Sequence, residues 1–379
     1  MRIDEAHQNP LKKYFFLLLH PEARVGAVRY LISFLGVLAV GSLLISAQGE
    51  NARAAAGYIV EGAFGSLRAF GNTLRWATPC LLTGAASIIA FKSGVINLGI
   101  EGQMFIGALT ASVLGYALNL PPPFHAALCV FAAGIAGMIW VLIPAFMRLL
   151  FSINEYVTTM MMNFIATLFC DFVVLWIILP AVQRTTVTLQ TPPIARTARL
   201  TTLVPGTSAS TGFIIALLVC LGVFVFYKYT IKGYELKQVG ENLKFAKTGG
   251  VNVKKSFIAI FLLSGFVAGL CGGVEVNGGY YRYVSNFSLT MGWEGILIAN
   301  ISGHNPIAMV FVAFIWGALK TGSMSMERAT SLNRLTVNLL QLIFVLFVSV
   351  DYEGIFNYFK KKAGLRRLAK QREAVKEAT

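Results

Sequence analysis

Long apolar stretches, separated by short polar connections, run through most of the chain. A transmembrane helix needs about 20 predominantly apolar residues, and runs of this kind recur with Gly and Pro breakers between them. They exclude an outer-membrane barrel, whose short strands alternate apolar and polar residues. The pattern therefore predicts an all-α polytopic membrane protein with about ten transmembrane helices. The predicted spans are residues 28–47, 72–91, 96–118, 124–147, 156–179, 212–229, 256–276, 289–301, 306–322 and 335–350.

The composition leads to the same conclusion. Of the 379 residues, 56% are hydrophobic and only 13% are charged, and the mean hydropathy is +0.67. In soluble domains about a quarter of all residues are charged, so this composition excludes a soluble fold. We expect a short amino-terminal segment (residues 1–27), a transmembrane domain (residues 28–350) and a basic tail (residues 351–379). Acidic as well as basic residues precede the first apolar run, which favours a membrane helix over a cleaved signal peptide.

The distribution of positive charge predicts the orientation of the spans. The formal net charge is +15, and Lys and Arg near span ends are retained on the cytoplasmic side. Ten spans place both termini on one side, together with 22 of the 32 Lys and Arg residues. We therefore expect both termini to be cytoplasmic. The excess of positive charge then reflects topology and contact with anionic lipid, and not nucleic-acid binding.

The residue types that usually carry chemistry are sparse and scattered. The five cysteines and four histidines lack the spacings of disulfide frameworks and zinc sites. We therefore predict neither a metal site nor catalytic residues.

The most informative polar residues interrupt the apolar pattern between the second and third predicted spans. Residues 91–107 read FKSGVINLGIEGQMFIG and contain Asn97, Glu101 and Gln103 among four glycines. A charged side chain at the bilayer centre costs about 2.5–3.5 kcal/mol on insertion scales, so Glu101 should face protein or a wet cavity. We predict a broken or re-entrant helix whose freed N–H groups meet the Glu101 carboxylate. Glu101 then either caps a half-helix or lines a translocation path. Asn97, Gln103 and Asn163 are further candidates for the broken helix or the path.

A short repeat links this region to a later one. Residues 99–102 read GIEG and residues 292–295 read GWEG, each at the start of an apolar segment. The first opens the third predicted span and the second opens the eighth, and a separation by an odd number of spans inverts the topology. The sequence thus predicts two inverted five-helix halves, with Glu294 as the counterpart of Glu101.

Two connections between spans are long enough to act in recognition. The outer one, residues 181–211, is rich in Thr, Pro and Arg, and it is either a docking surface or a variable loop. The inner one, residues 232–255, contains one predicted amphipathic helix that ends at Gly249 and Gly250. That helix either lies on the lipid surface or is a lever held by a cytosolic motor subunit. Its apolar face consists of Leu236, Val239, Leu243 and Ala246.

A site for ATP is missing from the sequence. A phosphate-binding loop has the pattern GxxxxGK[ST]; residues 249–256 read GGVNVKKS, with Lys254 where the second glycine is required. If ATP drives this protein, another polypeptide binds it.

Residues 93–103, SGVINLGIEGQ, resemble the GxxNIGxEGQ signature of permeases in nucleoside-type ABC importers. These belong to the superfamily of branched-chain amino acid and simple-sugar permeases. The resemblance covers about residues 67–351. It continues through Asn154-Glu155, Met162-Asn163, Val239-Gly240-Glu241-Asn242, Ala246, Gly249-Gly250-Val251, Ser264-Gly265, Ala268-Gly269, Gly272-Gly273 and residues 292–298.

The resemblance implies that residues 235–251 form the coupling helix that contacts the ATPase, which favours the lever over the lipid-surface helix. The coupling residues would be Val239, Gly240, Glu241, Asn242, Ala246, Gly249 and Gly250. Simple-sugar permeases usually carry an aspartate in a GGIDLS-like segment where this chain has residues 95–99, so a nucleoside is the favoured solute. Riboflavin or a simple sugar is the alternative. Two residues depart from the family pattern: Phe245 stands where the family usually has alanine, and Val251 where it usually has isoleucine. Both departures bear on which ATPase the chain pairs with.

The expected protein is thus a multi-pass permease of a bacterial cytoplasmic membrane. It would pair with a second permease, like or unlike itself, two cytosolic ATPases that bind ATP and magnesium, and an extracytoplasmic solute-binding protein. It would bind no cofactor itself. An ion-coupled secondary transporter and a membrane enzyme with Glu101 and Glu294 as an acid/base pair are the rival interpretations.

Overall fold

The computed structural model describes residues 39–182, 188–288, 290–330, 339 and 342–343. It divides into two units, residues 1–55 with 330–379, and residues 56–329. In the first unit, residues 39–47 are helical. The amino-terminal segment, the basic tail and most of the first and last predicted spans lie outside the described residues.

The described residues form helices without β-strands, as the apolar pattern predicts. In chain order the helices are α1 (Ala52–Phe64), α2 (Leu67–Lys92), α3 (Ile100–Ala117), α4 (Phe124–Trp140), α5 (Leu142–Phe151), α6 (Glu155–Phe172), α7 (Gly212–Tyr229), α8 (Ile231–Glu241), α9 (Leu243–Thr248), α10 (Val253–Glu275), α11 (Met291–Ile301) and α12 (Pro306–Ala329). Helices α6 and α10 continue as the π-helical segments Val173–Ile178 and Val276–Tyr280.

Six helical stretches in the described part of the chain are long and apolar enough to cross a membrane. They correspond to six of the ten predicted spans and are Leu67–Lys92, Phe124–Phe151, Glu155–Ala181, Gly212–Tyr229, Val253–Tyr280 and Pro306–Ala329. Predicted spans 96–118 and 289–301 become α3 and α11, which are not among them. With 11 residues, α11 extends about 16 Å at 1.5 Å per residue, about half of a hydrocarbon core.

The centre of the second unit is built on close backbone approach between α10 and two earlier helices. A side chain at Gly107 of α3 would collide with the backbone of Gly269 in α10, and Gly137 of α4 lies against Gly265. Because these glycines expose their backbone, the helices approach more closely than larger side chains allow. The spacing of Gly265, Gly269 and Gly273 in α10 follows from this packing.

The described part of the predicted outer loop is bonded to the helices. Ile194 N–H donates to Tyr281 O at 2.9 Å, Ala195 N–H to Gly115 O at 2.8 Å, and Leu200 N–H to Asn277 O at 2.8 Å. These bonds tie the loop to the end of α3 and to the π-helical segment after α10.

The glycine packing yields a matched pair of substitutions. Gly107→Val places its side chain against the Gly269 backbone, whereas Gly222→Val in α7 meets nothing within 4 Å. Overpacking costs about 1–3 kcal/mol, so we expect Gly107→Val to lower the melting temperature of the purified protein in detergent and its yield. Gly222→Val should match the wild type. Equal melting temperatures for the two variants would contradict the described contact between α3 and α10.

Candidate functional site

The chain leaves helical geometry between α2 and α3, as the glycine-rich sequence predicts. Helix α2 ends at Lys92, and Gly94 has a φ of +71°, a conformation that glycine adopts without steric cost. Helix α3 begins at Ile100. Since Asn97 and Gly99 are buried, the peptide groups of this interruption need partners inside the protein.

Asn97 supplies several of those partners. Its Oδ1 accepts hydrogen bonds from Gly99 N–H at 2.9 Å and from Gln103 Nε2 at 3.0 Å. Its Nδ2 donates to Gln103 Oε1 at 3.0 Å and to Ser264 Oγ at 2.9 Å. Ser264 lies in α10 and donates to Ala86 O of α2 at 2.9 Å. One buried amide thus joins the interruption to α2, α3 and α10.

Helix α6 braces the same interruption from the other side. Asn163 Oδ1 accepts from Gly102 N–H at 2.8 Å, and its Nδ2 donates to Leu98 O at 2.8 Å. Thr159 Oγ1 accepts from Leu98 N–H at 3.2 Å. The expectation that the Glu101 carboxylate would accept these freed N–H groups was wrong, because the neutral amides and the hydroxyl reach them instead.

Glu101 lies where the two similar motifs meet. It stands in the first turn of α3, is 7% exposed, and accepts a hydrogen bond from Ser288 Oγ at 2.9 Å. A Cβ on Gly292 would lie 2.9 Å from the Glu101 backbone nitrogen, so the amino termini of α3 and α11 are in contact. The carboxylate faces the backbone N–H groups of Gly292 and Trp293, where a negative charge is favourable.

Glu294, the predicted counterpart of Glu101, forms a partly buried ion pair. Lys320 Nζ of α12 lies 2.7 Å and 2.9 Å from its carboxylate oxygens, and Thr290 Oγ1 donates to it at 3.1 Å. The Lys320 ammonium also lies 4.5 Å from the centroid of the Trp76 ring, within the range of a cation–π interaction.

A second ion pair was missed by the sequence reasoning. Arg75 of α2 makes a bidentate contact with Glu275 of α10, at 2.9 Å and 2.6 Å. A charged residue inside each of two predicted spans was the available signal, because such residues pair with one another or face a cavity. Together, the two pairs place four charged side chains on α2, α10, α11 and α12.

The predicted coupling segment, residues 232–255, differs from expectation in two respects. It forms two helices, α8 and α9, instead of one, because Asn242 breaks the helix and caps α9 by accepting from Phe245 N–H at 3.0 Å. Of the predicted apolar face, Leu236, Val239 and Ala246 are buried, but Leu243 is 55% exposed. The end at Gly249 and Gly250 is confirmed, since α9 stops at Thr248 and Gly250 has a φ of +83°.

At Gly240 the backbone of the coupling segment lies directly against the end of α2 and the start of the interruption. A Cβ on Gly240 of α8 would lie 2.6 Å from Gly94 N and 2.6 Å from Lys92 O. The face turned outward carries Tyr234 and Phe245, each 59% exposed. This segment therefore leaves two large side chains exposed, while Gly240 rests on the end of α2.

Comparisons with known proteins agree on one family. The family model described as "Branched-chain amino acid transport system / permease component" matches residues 69–348. No solved structure was found to match the chain.

Three relatives are similar over most of their length. The guanosine ABC transporter permease protein NupP of Bacillus subtilis is 29% identical, covering 88% of this chain and 96% of the relative. The nucleoside ABC transporter permease protein NupB of Lactococcus lactis is 29% identical, over 76% and 81%. The glucose ABC transporter permease protein TsgB13 of Haloferax volcanii is 26% identical, over 84% and 85%.

The buried amide network can be tested with two asparagines. Asn97→Ala leaves Gly99 N–H, Gln103 and Ser264 without their partner, and each buried group so orphaned costs about 1–3 kcal/mol. We expect a clearly lower melting temperature of the purified protein. Asn72→Ala removes an exposed amide from α2 and should change the melting temperature little. If the two variants melt alike, Asn97 does not stabilise the interruption.

Proposed function

Because the chain belongs to the family of branched-chain amino acid transport system permease components, we propose that it carries a nucleoside through an ATP-driven importer. The family consists of permease subunits and not of enzymes. Together with the six apolar helices, this identifies a multi-pass protein of the plasma membrane and a permease subunit of an ABC importer.

The nucleoside assignment is supported by two independent features. Relatives named for guanosine and for nucleosides align over most of the chain, and residues 95–99 lack the aspartate typical of simple-sugar permeases. The relative named for glucose supports a simple sugar as the second candidate.

The contact between Gly240 and Gly94 carries the mechanistic part of the proposal. ATPase subunits would grip the exposed face of α8 and α9 around Tyr234 and Phe245. Because Gly240 touches the backbone beside Gly94, a push on α8 reaches the interruption without passing through a flexible side chain. Of the coupling residues named from the sequence, Gly240 would transmit the push, and the buried Val239 and Ala246 would hold α8 and α9 against the protein.

The polar residues of the site take two roles in this proposal. Asn97, Gln103 and Asn163 position the interruption by their hydrogen bonds. Glu101 and Glu294, at the contacting ends of α3 and α11, would face the translocation path when the helices move. A solute can shift such a conformational equilibrium only through its differential affinity for the two states.

The full assembly extends the proposal to topology and partners. We infer ten spans in two inverted halves with both termini cytoplasmic. The repeat is supported by a similar order of elements: α2 is followed by non-helical residues and α3, and α10 with its π-helical segment is followed by non-helical residues and α11. The inversion rests on the odd number of predicted spans between the two. A second permease, two ATPases and an extracytoplasmic binding protein complete the transporter.

The proposed function is tested by uptake of radiolabelled guanosine into vesicles that contain the chain with its partner subunits. Uptake should require ATP and an ATPase able to hydrolyse it, and excess unlabelled nucleoside should suppress it. Competition by glucose or riboflavin in place of nucleosides would reassign the solute. Uptake by this chain alone, driven by an ion gradient, would instead show a secondary transporter.

The mechanical link is tested by one glycine of the coupling segment and one control glycine outside it. Gly240→Ala forces its Cβ to within 2.6 Å of backbone atoms, whereas a Cβ on Gly222 of α7 meets nothing within 4 Å. We expect Gly240→Ala to reduce ATP-driven uptake about 10-fold or more, a change of about 1.4 kcal/mol, with the chain still present in the membrane. Gly222→Ala should retain uptake. Wild-type uptake by Gly240→Ala would reject this contact as the route of coupling.

A further inference from the structure

A cavity of about 1000 Å³ opens between the coupling segment and the transmembrane helices. Its lining has two parts: residues of the coupling segment, here called the mouth, and residues of the transmembrane helices, here called the inner wall. The mouth includes Lys232, Tyr234, Phe245, Asn252 and Lys255, and the inner wall includes Phe226, Ala259 and Leu262. Ligand sites in proteins span about 300–1000 Å³, so this cavity has room for a large ligand.

The inner wall belongs to membrane-spanning helices. Phe226 lies in the span Gly212–Tyr229, and Ala259 and Leu262 lie in Val253–Tyr280. At 1.5 Å per residue, Leu262 is about 14 Å along the helix from its first residue. An occupant that fills the cavity must therefore place apolar groups beside the hydrocarbon core and a polar group at its edge.

The charge at the mouth favours an anion. Lys232 is paired with Glu235 at 2.8 Å, but Lys255 is exposed and takes part in none of the ion pairs found among the described residues. Residues 230–255 contain six lysines and two glutamates. Basic pockets between membrane helices on the cytoplasmic side are suited to acidic lipid head groups.

We propose that this cavity binds an anionic phospholipid, with the phosphate beside Lys255 and an acyl chain along Ala259 and Leu262. The inference rests on the cytoplasmic placement of the coupling segment in the proposed function. A cytosolic ATPase can reach Tyr234 and Phe245 at the mouth, but it cannot follow the inner wall into the bilayer. The bound lipid would fill the space between the coupling segment and α10 and so restrict the motion of the coupling segment.

The test is lipid retention by the full-length chain, purified in mild detergent and incubated with equal amounts of phosphatidylglycerol and phosphatidylcholine. Native mass spectrometry measures the ratio of the two lipids that stay bound. We expect phosphatidylglycerol to be enriched on the wild type. Lys255→Gln should lower that enrichment about five-fold, the effect of one lysine near an anionic surface, whereas Lys247→Gln removes the same charge outside the cavity and should not.

A second pair of variants tests the apolar inner wall of the cavity. Ala259→Phe fills the inner part of the cavity and should lower retention of both lipids, whereas Gly222→Phe, in open space on α7, should not. Equal retention of the two lipids by the wild type, or equal effects of Lys255→Gln and Lys247→Gln, would overturn the proposal. So would loss of ATPase co-purification by Ala259→Phe with unchanged lipid retention, since the cavity would then hold the ATPase. The assay contains neither solute nor ATP, so its failure leaves the import proposal to its own test.

Discussion

Peptide groups that leave a helix inside a membrane protein must still find hydrogen-bond partners, because no water is there to replace them. The interruption between α2 and α3 meets this requirement with side-chain amides. Asn97 and Asn163 accept from the N–H groups of Gly99 and Gly102, so non-helical backbone is held in the interior by neutral groups. No charge has to be buried for this purpose, and the Glu101 carboxylate is left to face the start of α11.

The same interruption connects regions that are far apart in sequence. Its first residues touch Gly240 of the coupling segment, and its last lead into α3, whose first turn meets α11. Backbone-to-backbone contact transmits a displacement better than long side chains do, because glycine leaves no rotamer to absorb it. Helices α3, α4 and α10 pack closely through glycines. This closely packed core would stay in place while the interruption is displaced relative to it.

The sequence predicted those parts of the structure that depend on local pattern. Hydropathy located six membrane helices, and the glycines at 94, 249 and 250 marked turns that the structure confirms. The sequence pattern did not predict contacts between residues far apart in the chain. Ser264, the partner of Asn97, is 167 residues away. The ion pairs Arg75–Glu275 and Glu294–Lys320 depend on which helices are neighbours. The break at Asn242 was not predicted, because the spacing of Leu236, Val239, Leu243 and Ala246 fits one continuous helix. In the structure, the Asn242 side chain instead caps a new helix, α9.

Amide hydrogen exchange of residues 93–103, measured by mass spectrometry in the assembled transporter with and without ATP, addresses this account most directly. Exchange at residues 97–103 should be slow in both states, because the amides of Asn97 and Asn163 hold that backbone. Exchange at residues 93–96, beside Gly240, should change when ATP binds. Fast exchange throughout residues 93–103, or an ATP-dependent change in α8 that leaves residues 93–96 unaltered, would contradict the account.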